Sequence, residues 1–195
     1  MSMSSIDSES SGPVKGETKL VHKAQAGDEN AFALLYDAYQ THIYRYVYFR
    51  VTDDQVADDL TSQVFLKAWE KLDRYRMQGS PFIAWLYRIA HNTVIDHYRT
   101  QKSTIGWEEV ERTYPSPAKE LDEKLDLQFE SHNLRLALQQ LTEEQQQVLI
   151  LKFISGLSTQ EIARQMKKRQ GAIRALQMRA LQSLARIMDE NGVLI

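Results

Sequence analysis

The chain has 195 residues, 43% hydrophobic and 26% charged, with 24 basic against 26 acidic side chains, a formal net charge of −2 and no cysteine. That composition suits a soluble globular protein with apolar material for one or two small cores. It excludes disulfides, thiolate metal sites and cysteine nucleophiles, and no apolar run approaches the ~20 residues that a membrane-crossing helix needs.

Residues 1–17, MSMSSIDSESSGPVKGE, lack the basic start and apolar stretch of a secretory signal and are expected to form a disordered tail. A short helix is expected near Leu20–Gln25. No Pro or Gly falls between Asp28 and Met77, and Phe32, Leu35, Tyr39, Ile43, Tyr46 and Val47 recur in steps of three and four behind a candidate N-cap, Asp28. The spacing Thr52-x-x-Gln55 predicts the start of a second helix, with a stripe of Val56, Leu60, Val64, Ala68 and Leu72 widened by Phe65 and Trp69. The run Met77-Gln78-Gly79-Ser80-Pro81 breaks the pattern. Ser80 as N-cap and Pro81 in the first turn then open a third long helix, through Trp85, Leu86, Ile89 and Ala90 to about Gln101.

Periodicity fades over residues 103–131, where Pro115, Pro117 and a surplus of acids mark a linker. It resumes at Leu134, Leu138 and Leu141, continues through Val148–Phe153 to Gly156, and ends with helices over Thr159–Met166 and about Gln170–Met188. The fold class expected is all-α: two small helical domains, residues 18–102 and 132–195, joined by a flexible acidic linker. Charge follows the same division. The first domain carries eleven bases and ten acids, the linker three and eight, the second domain nine and five. A basic module therefore stands behind an acidic connector.

Within Gly156–Leu184 the pattern is that of a helix-turn-helix. Ser158-x-x-Glu161 is a capping box, Ala163 permits close helix approach, and Ile173, Leu176, Ala180 and Leu184 supply the buried stripe of the second helix. That helix carries Arg174, Gln177, Arg179 and Gln182 on its polar side, behind Lys167-Lys168-Arg169 in the turn. Its N-terminal end would enter a major groove while the flanking cations meet phosphates. Spacing alone fits an ordinary amphipathic helical hairpin equally well, and the turn lacks the glycine often found there.

The combination of DDLTSQVFLKAW with PFIAWLYRIAHN, inside Asp53–Tyr98, closely resembles the second conserved region of extracytoplasmic-function sigma factors, and Leu141–Leu184 resembles their fourth. The resemblance implies binding to core RNA polymerase and to promoter DNA, with an anti-sigma factor as a further possible partner, in the cytoplasm. Asp58, Asp59, Gln63, Phe65 and Trp69 match the polymerase-binding helix. Tyr75, Arg76 and Gln78, with Arg88, Asn92 and Arg99 on the following helix, match the segment that opens and reads the minus-ten element. Lys168, Arg169, Gln170, Arg174, Ala175, Met178 and Arg179 match the minus-thirty-five reader. Ala175 and Met178 offer apolar contact where the family often has polar or aromatic groups, which bears on the sequence preferred. The 29-residue linker reaches at most ~95 Å when extended, enough for two DNA elements ~70 Å apart. No enzyme activity, cofactor or metal site is expected. The nearest thing to a catalytic cluster, His91, Asp96 and His97, puts its two histidines on opposite faces of a helix.

Overall fold

The structure, a computed structural model, describes residues 16–76, 81–104 and 132–190, and among these every regular element is helical. The first bundle contains α1 (Glu17–Gln25), α2 (Glu29–Tyr48), α3 (Asp54–Glu70), a short 3-10 turn (Leu72–Arg74) and α4 (Phe82–Thr104). The second contains α5 (132–139), α6 (Glu143–Leu149) running into a π-helical turn (Ile150–Ile154), α7 (Thr159–Gln165) and α8 (Gln170–Glu190).

Local sequence explains the helix starts. The Asp28 carboxylate accepts the Ala31 amide at 3.0 Å, as its N-cap position requires. For α3 the cap is Asp53, one residue after the expected Thr52, and its carboxylate takes the Val56 N–H at 3.0 Å. Both Thr142/Gln145 and Ser158/Glu161 form reciprocal capping boxes, so α6 and α7 each begin with two satisfied donors. Ser80, the cap expected for α4, lies outside the described residues.

The first core is the stripe Leu35, Tyr39, Ile43, Tyr46 and Val47 of α2, enclosed by Ala57, Leu60 and Val64 of α3 and by Phe82, Leu86, Ala90 and Val94 of α4. The second gathers Ile150, Leu151, Ile162, Ile173 and Ala180. Full burial of such a side chain contributes roughly 1.5–3 kcal/mol.

Helix α1 pins both ends of the segment between the 3-10 turn and α4. Glu17, counted with the tail from sequence, is the first residue of α1 and is buried. Its carboxylate accepts the Phe82 N–H at 3.2 Å and the Tyr39 hydroxyl, so a charged group faces the positive end of α4. At the other end of α1, the Gln25 amide donates to the Leu72 and Tyr75 carbonyls, each at 2.9 Å.

The two bundles meet, and their buried apolar residues form one continuous core. The contact centres on the C-terminal end of α2. Arg135 of α5 is buried, with its guanidinium 3.8 Å from the Tyr48 ring centroid. Its Nε donates to the Val51 carbonyl at 2.7 Å and its Nη1 to Asp54 at 2.5 Å. Gln139 also donates to the Val51 carbonyl (2.7 Å), and Gln146 to that of Phe49 (3.4 Å). Farther along, the Gln165 amide, oriented to satisfy both neighbours, donates to the Ala84 carbonyl at 3.1 Å and accepts the Arg88 N–H at 2.9 Å.

His91 lies in the same seam. Its Nδ1 stands 3.3 Å from Arg50 Nη1, and its Nε2 is 3.7 Å from the Glu143 carboxylate. Burial, reinforced by the Arg50 charge, pushes the imidazole down to about 4; the exposed Glu143 carboxylate does not offset this. The neutral ring therefore accepts from Arg50 through Nδ1 and turns its Nε2–H toward Glu143.

Two outcomes are expected. Glu17→Ala removes the carboxylate that accepts the Phe82 N–H and the Tyr39 hydroxyl and lowers stability by about 2 kcal/mol, measured as a fall in the urea midpoint at unchanged slope; Glu17→Gln loses less. For His91, the native value lies below the ~6.5 of an unfolded chain, so the native state binds fewer protons in that window. Its contribution is complete above about pH 6.5 and is lost as pH falls toward 4. Urea titrations at pH 5 and 7 should show that loss in the natural chain and a flatter dependence in His91→Gln.

Candidate nucleic-acid interface

Helix α3 turns its aliphatic side inward and leaves Asp58, Asp59 and Gln63 exposed on the opposite side. Their negative field is felt locally: the Tyr44 phenol is pushed up by burial first and then by Asp58 and Asp54. Phe65 is buried, edge-on to Tyr36 with ring centroids 4.7 Å apart, so it supports the surface from beneath. Trp69 is 36% exposed and packs edge-on against Phe32 at 4.8 Å. Leu66, 59% exposed, joins this face and escaped the sequence reading; a single exposed leucine gives no signal in a helical stripe. Acids around accessible apolar side chains suit a basic protein partner, with charge setting orientation and apolar contact supplying affinity.

On α4, Arg88 and Asn92 are both exposed, one turn apart. Arg99 is exposed and pairs with Asp96 at 2.9 Å, a surface contact weak enough to exchange for a phosphate. Tyr75 follows the 3-10 turn. It is buried, against Phe82 and Trp85 at 5.4 and 4.9 Å, and burial, with a smaller push from Glu17, moves its phenol up to about 12. Its ring is thus part of the core, and the half-buried Trp85 is the aromatic face nearer solvent. Arg76 folds back onto the Asp73 carbonyl at 2.6 Å. Gln78 lies outside the described residues.

In the second bundle, α7 and α8 form the helix-turn-helix. Arg174, Ala175, Met178 and Arg179 are all exposed, opposite the buried Ile173, Leu176 and Ala180. Arg169 and Gln170 are exposed where α8 begins, while Lys168 is half-buried and paired with Glu144 at 2.8 Å. Lys167 takes the left-handed conformation, φ 54°, and lets the Lys168 N–H reach the Ala163 carbonyl at 2.9 Å. The turn therefore needs the backbone shape that glycine provides and obtains it from a lysine. Between α5, the π turn and α8 runs an apolar groove of about 170 Å³, lined by Leu134, Leu138, Leu149, Phe153, Ile154, Leu181 and Leu184. Phe153 is 60% exposed there.

A non-glycine residue held left-handed costs about 1–2 kcal/mol, partly offset by the entropy that glycine loses on folding. Lys167→Gly should therefore stabilise the chain by about 0.5–1 kcal/mol, read from chemical unfolding.

Comparison with known proteins agrees with this geometry. Residues 35–104 match Sigma-70 region 2, and residues 131–184 match Sigma-70, region 4. The ECF RNA polymerase sigma factor BldN of Streptomyces coelicolor is 39% identical over 182 residues, an alignment covering 89% of this chain and 66% of that protein. The RNA polymerase sigma-H factor of Pseudomonas aeruginosa is 32% identical over 182 residues, covering 89% and 94%. Among solved structures, CnrH in complex with the cytosolic domain of CnrY superposes with a TM-score of 0.67 at 23% identity, over 88% of this chain and 96% of that one. RpoE bound to the anti-sigma factor NepR, from Bartonella quintana, gives 0.62 at 23% identity, over 81% and 96%. Two matched regions in the same order, an exposed acidic α3 and a helix-turn-helix at the far end place this chain in the extracytoplasmic-function family of RNA polymerase sigma factors.

Proposed function

We propose that the chain binds core RNA polymerase through the exposed side of α3 and directs it to promoters whose two elements are read by α4 and α8. The observation that carries this is the coexistence, in one chain, of an acidic protein-docking face and two separate polar helix faces suited to DNA. Asp58, Asp59 and Gln63 supply the polar part of the polymerase contact, and Trp69 with Leu66 the apolar part; Phe65 holds the surface in shape. On α4, Asn92 has the donor and acceptor needed for a base edge, and Arg88 and Arg99 suit phosphates. A base leaving the stack costs a few kcal/mol, which stacking and hydrogen bonding must offset. Trp85 is the aromatic surface best exposed for that task. No nucleotide hydrolysis enters this scheme.

On α8, Arg174 and Arg179 flank Ala175 and Met178. The two apolar side chains favour a thymine methyl over a hydrogen-bonding base edge. The reading is cytoplasmic, where core polymerase works, and non-catalytic. An anti-sigma factor fits it as a second protein partner, suggested by the solved complexes with CnrY and NepR.

Run-off transcription with core polymerase tests the reading. Promoter-dependent product is expected when the chain is added and absent without it; no product from any promoter template would refute it. The double substitution Asp58→Arg/Asp59→Arg should reduce product more than tenfold while leaving the unfolding midpoint within about 0.5 kcal/mol, as for exposed sites generally. Asn92→Ala should leave polymerase binding unchanged and lower product from duplex promoters more than from templates opened in advance across the minus-ten element.

A further inference from the structure

Among the described residues one non-glycine residue takes the left-handed conformation, Lys167 in the turn of the helix-turn-helix, with φ 54°. It stands just past the end of α7. The Lys167 N–H bonds to the Arg164 carbonyl at 3.4 Å and the Lys168 N–H to that of Ala163 at 2.9 Å. These are the two bonds that close a helix end around a left-handed residue. Glycine fills that position without strain. A lysine there strains the folded chain, and such strain persists where the residue serves something other than the fold.

The fold itself gains little from this side chain. A cation at this place meets the negative end of the α7 dipole, but α7 has only seven residues, and Lys168 and Arg169 bring charge to the same end. Lys167 is exposed and forms no ion pair among the described residues. Lys168, in contrast, has a side chain 33% exposed and reaches back to Glu144 of α6 at 2.8 Å. Glu161 is engaged as well, accepting the Ser158 hydroxyl and N–H. Of the two lysines in the turn, one is held by the bundle and the other faces solvent.

We propose that Lys167 binds a DNA backbone phosphate at the edge of the minus-thirty-five element, and that this charge is what keeps glycine out of the turn. The inference rests on the proposed use of α8 as the reader of that element. Lys167 stands three residues before Gln170, so the two Cα atoms lie within roughly 11 Å of each other. A helix whose first turn enters a major groove ~12 Å wide brings a residue at that distance to the strands that wall the groove. Lysine is there a point charge on a flexible stem, suited to a phosphate oxygen and indifferent to base sequence. The phosphate contact of the turn then belongs to Lys167 and not to Lys168.

The test uses the full chain assembled with core polymerase, its affinity for a two-element promoter duplex being measured by fluorescence anisotropy across about 0.1 to 0.5 M salt. Lys167→Asn removes the charge and keeps a residue that tolerates the left-handed conformation. Loss of one phosphate contact should lower the slope of log affinity against log salt by about 0.9, weakening binding about five- to tenfold at the lowest salt. That factor should be the same on a promoter whose minus-thirty-five sequence has been replaced. Lys167→Arg should keep the natural slope, as should Lys23→Asn, which removes an exposed lysine of α1. Lys167→Asn and Lys167→Gly should unfold at an equal or higher urea midpoint, so that a lost contact is told apart from a lost fold. An unchanged slope in Lys167→Asn would overturn the contact, and so would a lower midpoint with unchanged affinity, the result expected of a purely structural lysine. Normal promoter binding beside either result leaves the sigma-factor reading in place, whereas a natural chain that forms no promoter complex with core polymerase removes both.

Discussion

The guanidinium of Arg135 is the contact on which the arrangement of the whole molecule turns. It is buried, and an aromatic face, a carbonyl and a carboxylate meet it, while its Nη2 has no hydrogen-bond partner among the described residues. Removing any one of these partners leaves charge in a poorly polarisable setting. The seam also holds contacts at His91, Gln139, Gln146 and Gln165.

The helices themselves were legible in the sequence because they rest on local rules. The α2 stripe, its Asp28 cap and the Ser158/Glu161 box all appear in the structure as the spacing implied. The α3 cap moved from Thr52 to Asp53 because two adjacent residues can both cap, and only backbone geometry chooses between them. What the sequence hid depends on distant partners. Glu17 reads as one more acid in a polar tail, yet it is buried because Tyr39 and Phe82 offer it donors from far along the chain. Arg135 and Gln139 fall one turn apart on what reads as the polar face of a helix; nothing local shows that the face is covered.

The same limit applied to the site. Asp58, Asp59 and Gln63 are where an amphipathic α3 must put them, on the outside. Aromatic residues are harder to place, since the same ring serves a core or a surface. Phe65 and Tyr75 went inward and Trp85 stayed partly out, a distinction that depends on rings distant in sequence or on other elements: Tyr36 beside Phe65, and Phe82 and Trp85 beside Tyr75. On α8 no such ambiguity arises, because the buried stripe of Ile173, Leu176 and Ala180 leaves one side free.

The acceptors at the end of α2 have a consequence for how this chain can vary. Carbonyl oxygens belong to the backbone, so substitutions at residues 49–51 that keep its path cannot delete them. Their donors are the side chains of Arg135, Gln139 and Gln146, each open to replacement. Drift in the strength of the junction should accordingly accumulate on the C-terminal half, while the N-terminal half keeps an unchanged socket for whatever donor-bearing helix arrives there.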